Sequence, residues 1–132
     1  MKAHRVTGLA WLLQALLAPA AFGQPPANVH AEVDGMLKAV ERSGCEFGRN
    51  GTWHESKAAG AHMRDKYDYL VARDLIANSE DFVNRVGTKS SVSGQAYQVR
   101  CAGAAPVASG QWLRTRLAEL RANAGESART PP

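Results

Sequence analysis

The N-terminal 23 residues set the conditions under which the rest of this chain folds. Lys2, His4 and Arg5 make a basic start, Val6 to Leu17 is almost wholly apolar, and Pro19 breaks the run. Ala21-Phe22-Gly23 then places small residues third from last and last before a cleavage point. That order reads as a secretory signal peptide. Its apolar stretch of about a dozen residues falls short of the ~20 that cross a bilayer. The alternative is a buried N-terminal helix. Residues 1–23 are therefore expected to be cleaved. Residues 24–132 are then a single small domain in the periplasm, or secreted beyond it, with no stable membrane insertion. No cysteine lies near the cleavage point to carry a lipid.

Export bears on charge and on the cysteines. The whole chain has a formal net charge of +4. Loss of Lys2 and Arg5 leaves about +2, with acids and bases interleaved along the chain instead of clustered, so nucleic acid is not an expected partner. Cys45 and Cys101 are the two cysteines. In an oxidising compartment an even count points to a disulfide between them, whereas redox-active pairs usually lie close together as C-x-x-C. The loop closed is longer than fifty residues, for which chain entropy gives on the order of 4 kcal/mol. That is a large share of the roughly 5–15 kcal/mol that holds a domain together.

Apolar periodicity organises the remainder. Val29, Val33, Met36, Leu37 and Val40 form a helical stripe over 29–43, with Gly44 as its stop. Phe47 and Trp53 flank Arg49-Asn50-Gly51, and Asn-Gly is a strong hairpin signal because both residues tolerate positive φ. Trp53 reads as a core or core-edge residue. Ser56 is placed to cap a helix over 57–73 carrying Ala59, Met63, Tyr67 and Leu70, in which Gly60 permits close packing. Asn78 or Ser79 caps a further helix through Val86, to which Leu75, Ile76, Phe82, Val83 and Val86 lend apolar side chains. Thr88–Gly94 is a loop by composition, residues 96–101 a short strand, and residues 102–110 a turn or linker. Ser109 is placed to cap a last helix with Trp112, Leu113, Leu117 and Leu120. Order is expected over 29–121 and fraying beyond it. The fold class is α+β and helix-dominated, about four helices with a small hairpin or minor sheet. Whether the segments 45–54 and 96–101 pair is left open.

These residues resemble a family of small exported bacterial proteins known as domain of unknown function 5329. The likeness runs over roughly 29–120. It is carried by Arg49-Asn50-Gly51, by His62 and Lys66 on the following helix, and by Thr88-Lys89-Ser90-Ser91-Val92-Ser93-Gly94 leading into Tyr97 and Val99. The resemblance implies a periplasmic or secreted protein of a Gram-negative bacterium and implies no activity. The family tends to carry an acidic residue early in the second helix. Here that position is Ala58, so a mechanism using a carboxylate there is missing unless Glu55 replaces it. Some relatives lack the cysteines, which makes the disulfide a local reinforcement.

Chemistry is best placed in the 88–94 loop. Four hydroxyls, one lysine and one glycine in seven residues suit an anion nest of backbone N–H groups, with Lys89 adding charge and Ser90, Ser91 and Ser93 adding donors. Arg49, Asn50, His62 and Lys66 would enlarge that patch if turn and helix pack beside it. The competing view is a serine-rich surface loop whose hydroxyls cap their own backbone. Serine catalysis needs a base within reach of Ser91, and neither a G-x-S-x-G nor an S-x-x-K motif is present. His54, Glu55, His62 and Asp65 lack the H-E-x-x-H spacing, so no metal is expected. His30 and His54 read as solvent-exposed. No cofactor is expected. The leading expectation is a non-enzymatic periplasmic binding or accessory protein that recognises an acidic group on a protein, peptide or cell-wall fragment. The alternatives are a small envelope hydrolase centred on Ser91 or Glu55, and a structural partner in an envelope complex displaying Trp53 or Tyr97.

Overall fold

The computed structural model describes Ala3 and residues 23–130. Nearly all of the expected leader lies outside the described residues. Four helices pack on one face of a four-stranded antiparallel sheet of order β2-β1-β3-β4. The α+β, helix-dominated expectation is met.

Helix α1 (Ala27–Arg42) opens on Pro26, whose carbonyl accepts from the N–H groups of Val29 and His30. Its buried stripe is Val29, Val33, Met36, Leu37 and Val40, the spacing the sequence shows. Four of these five are at most 1% exposed, and such burial stabilises by about 1.5–3 kcal/mol per side chain. Gly44 then turns the chain at φ +64°.

Strands β1 (Glu46–Arg49) and β2 (Thr52–Glu55) form the hairpin that Asn50-Gly51 predicts, with φ +50° and +79° at the two turn residues. Strand β3 (Gln98–Arg100) lies against β1, pairing Glu46 with Arg100 and Phe47 with Val99. The open question of pairing is thereby resolved. The same register sets Cys45 beside Cys101, and the two are joined by a disulfide across 56 positions. A short β4 (Val107–Ala108) completes the sheet within the segment expected to be a turn.

Side chains alternate across β1. Phe47 faces the helices and meets the half-buried Trp112 edge-on at 5.8 Å. Glu46 and Gly48 face outward. The Trp53 ring fills the space above Gly48, where a Cβ would stand 3.1 Å from it. Arg100 stacks on that ring at 3.9 Å while donating to both carboxylate oxygens of Glu46. Trp53 is thus a half-buried sheet-face residue.

Helix α2 (Ser56–Val71) crosses α1, and Gly60 permits the approach, since a Cβ there would lie 2.6 Å from Glu41 Cγ. Ser56 is not the N-cap. It is the first helical residue, Glu55 precedes it, and its hydroxyl donates to the Glu41 carbonyl. Tyr67 is buried, with its hydroxyl 2.8 Å from His30 Nδ1, so His30 is half-buried and hydrogen-bonded instead of free in solvent. Helix α3 (Ser79–Phe82) begins as expected at Asn78, whose side chain accepts from Asp81 N–H. It passes into a π-helical turn (Val83–Gly87). Leu75 stays outside the core at 39% exposure, while Ile76 enters it.

Helix α4 (Ser109–Arg129) runs past the expected end near residue 121, with every side chain from Arg121 onward exposed. Ser109 is its first residue and not its cap. Its hydroxyl is fully buried without a hydrogen-bond partner. Among the described residues no helix is long and apolar enough to cross a membrane.

Candidate anion-binding cleft

The hairpin turn, α2 and the 88–94 loop meet at one end of the sheet. Arg49 ends β1 on its helix-facing side. His62 and Lys66, one helical turn apart, present side by side from α2. The chain leaving Thr88 returns through Tyr97, whose N–H donates to the Thr88 carbonyl, and a Lys89–Ala96 bridge closes the loop. Between these elements opens a concavity of about 360 Å³ lined by Arg49, Asn50, His62, Lys66, Ser90 and Ser91, with Tyr69, Leu70, Val92 and Tyr97. Six of the eight residues singled out in the sequence are brought together. Lys89 and Ser93 are not in the lining. Lys89 is exposed and contributes its carbonyl, which accepts from Lys66 Nζ at 3.3 Å.

The loop does not form the open nest of N–H groups that its composition suggests. Ser90 is 4% exposed and its Oγ accepts from the N–H groups of Val92 and Ser93. Gly94 N–H donates to the Ser90 carbonyl, and Gln95 N–H donates to Ser93 Oγ. The serines therefore satisfy the loop's own backbone, the competing view of the segment. Asn50 fastens the loop to the hairpin, donating to Ser90 Oγ and accepting from Ser93 Oγ.

Positive charge accordingly comes from side chains. No carboxylate lines the concavity. Burial, then Arg49 and Lys66, hold the His62 pKa below its ordinary value, with Asp65 pulling the other way and His54 adding slightly to the depression. Burial lowers Lys66 as well. Its ammonium lies 5.7 Å from the centre of the Tyr97 ring. Burial pushes the Tyr97 phenol up, against the opposing pull of Arg49 and Ser90. An anion placed among Arg49, His62 and Lys66 would favour the charged form of His62 and Lys66, which their surroundings disfavour.

A second, smaller recess of about 40 Å³ shares Arg49, His62 and Tyr97 with the cleft. Its apolar lining is Phe47, Ala58, Ala59 and Met63, and His54 also lines it. His54 is half-buried, contrary to the exposed position expected. Glu55 is exposed and lines neither hollow, so the carboxylate absent at Ala58 is not replaced there. Tyr97 is buried at 6% exposure, so it is no exposed docking residue. Among the described residues no group of three His, Cys, Asp or Glu side chains converges as metal ligands do. Nothing local in the sequence marks the recess, because its walls come from β1, β2, α2 and Tyr97, and Ala58, Ala59 and Met63 look in sequence like ordinary helix residues.

The model of a family of unknown function, DUF5329, matches residues 27–121. The chain belongs to this family. The cleft and recess are thus features of a DUF5329 protein, and both lie wholly inside the matched span. The chain is also similar to the uncharacterised protein YfeK of Salmonella typhimurium (strain LT2), 31% identical over 83 residues, covering 62% of this chain and 68% of that one. No solved structure matches the chain significantly.

Proposed function

We propose that this DUF5329 protein is a non-enzymatic binding or accessory protein of the bacterial envelope, exported by its N-terminal segment. In this reading it holds an acidic group of another molecule in the cleft between the hairpin and α2. One observation carries the proposal: Arg49, His62 and Lys66 line a single concavity without a carboxylate among them. An arginine supplies a planar fork for a carboxylate or phosphate, and lysine supplies a compact charge beside it. Arg49 and Lys66 are half-buried, and such cations keep more of their Coulombic attraction than those on an open surface.

Calorimetric titration with inorganic phosphate and with acetate tests the reading. Binding is expected in both cases, weakened about tenfold or more in Arg49→Ala and in Lys66→Ala. Lys89→Ala serves as the control, since that side chain lies outside the lining, and is expected to bind as the parent does. Absence of binding to either anion, or equal weakening by Lys89→Ala, would overturn the proposal.

A further inference from the structure

The cleft and the apolar recess share three wall residues, and their dimensions narrow the class of acid that fits. We infer that the ligand is the C-terminal carboxylate of a peptide whose last residue has a small aliphatic side chain, a reading that rests on the anion site proposed above. The shared walls, Arg49, His62 and Tyr97, place the basic groups at the mouth of the recess. An acid group held there points its nearest substituent onto Phe47, Ala58, Ala59 and Met63.

Size decides what that substituent is. A cavity of about 150 Å³ takes a benzene ring, so a recess of about 40 Å³ accommodates only a few heavy atoms. A methyl or isopropyl group enters. A phenyl ring, with six, does not without displacing the walls, and overpacking of that kind is costly. In a peptide C-terminus such a group sits two bonds from the carboxylate carbon and is joined to it through carbon alone. A phosphate monoester joins its carbon chain through an oxygen, which would lie against the apolar walls Phe47, Ala58, Ala59 and Met63 without a hydrogen-bond donor.

The rim points to a chain instead of a free small acid. Val92 is 95% exposed and Tyr69 is 55% exposed, and both line the mouth of the larger cleft. They are two of the four large hydrophobic side chains most exposed among the described residues. An acid no larger than the recess would leave both untouched. A peptide entering by its C-terminus lays its preceding residues across the 360 Å³ cleft and covers them. Apolar rim contacts then add to the affinity of the terminal carboxylate.

The test uses the purified protein and five probes: acetyl-Ala-Ala-Ala with a free carboxylate, its C-terminal amide, acetyl-Ala-Ala-Phe, 3-methylbutanoate and inorganic phosphate. The Ala-ended acid is expected to bind at least about tenfold more tightly than its amide, because the amide leaves the cations unpaired. It is expected to exceed the Phe-ended peptide and 3-methylbutanoate by similar factors. Ala58→Phe, at an exposed helix position that also walls the recess, is expected to remove that preference. Equal binding of acid and amide, of Ala-ended and Phe-ended peptides, or of peptide and 3-methylbutanoate would each overturn the inference. If phosphate binds through Arg49 and Lys66 in such a case, the anion site survives and the peptide assignment fails. If no anion binds, both fail.

Discussion

Ser93 donates its hydroxyl to the side-chain carbonyl of Asn50, 43 residues earlier. Asn50 in turn donates to Ser90 Oγ at 3.4 Å. The tip of the hairpin is thereby fastened to the serine loop, and the two walls of the cleft are held at a fixed separation. Asn50 performs this from a left-handed backbone conformation, φ +50°. One residue therefore sets both the turn and the width of the site.

Those two roles separate by substitution. Asn50→Gly keeps the turn and deletes the side-chain bonds, for which a loss of about 1 kcal/mol is expected. Asn50→Ala deletes the same bonds and adds roughly 1–2 kcal/mol of left-handed strain. Urea denaturation is expected to rank the parent above Asn50→Gly and Asn50→Gly above Asn50→Ala. Equal midpoints for the two variants would show that the backbone conformation carries no cost.

Reduction of Cys45–Cys101 releases a 56-residue loop. The expected loss is about 4 kcal/mol on the chain-entropy account, measured as a fall in urea midpoint with dithiothreitol or in the double variant Cys45→Ala/Cys101→Ala. The β1–β3 pairing persists in the reduced protein if its core suffices. Amide exchange at Phe47 and Val99 reports on that directly.

Gly87 and Gly60 are both closely approached, with different consequences. A Cβ at Gly87 would collide with Leu113 Cδ1, a side chain with no exposure. At Gly60 it would meet the aliphatic part of the exposed Glu41. Gly87→Ala is expected to cost about 1–3 kcal/mol by overpacking. Gly60→Ala is expected to cost less, since Glu41 can swing away and alanine favours helix by up to about 1 kcal/mol. Thermal melts of the two variants test the contrast. A larger loss at Gly60 would mean that Glu41 is held in place.

His62 supplies a pH signature. Its folded pKa lies below the unfolded value of 6.5, so the unfolded chain binds more protons near that pH and stability falls as pH drops through it. The loss is complete below the folded pKa. Burial, Arg49, Lys66 and His54 oppose the charge on His62, and Asp65 favours it. Comparison of the parent with His62→Gln, at about pH 7.5 and about pH 5, isolates this contribution from other titrating groups. The parent is expected to lose more stability between the two. Parallel losses would place His62 in an environment that does not resist protonation.

Much of the fold is legible in the chain because local rules govern it. The stripe from Val29 to Val40, the Asn50-Gly51 turn, the Asn78 cap and the helix bearing Leu113 and Leu117 all follow from periodicity and backbone preference over a few residues. The caps assigned to Ser56 and Ser109 fail because tertiary contacts at the strand–helix junctions compete for the same positions. Ser56 turns to the Glu41 carbonyl, and Ser109 is buried where β4 meets α4. The serine loop shows the same competition from within, since its hydroxyls close on their own N–H groups and leave charge recognition to Arg49, His62 and Lys66.

By itself the sequence determined which segments are helical, where the chain reverses and which two sulfurs have only each other as partners. These are consequences of side-chain spacing, φ preference and residue count. Tertiary structure alone decided that Arg49, His62 and Lys66 face one hollow, and that Phe47, Ala58, Ala59 and Met63 form a recess beside it. Such a site depends on strand register and helix crossing, which arise from packing between residues far apart along the chain and leave no local mark in it.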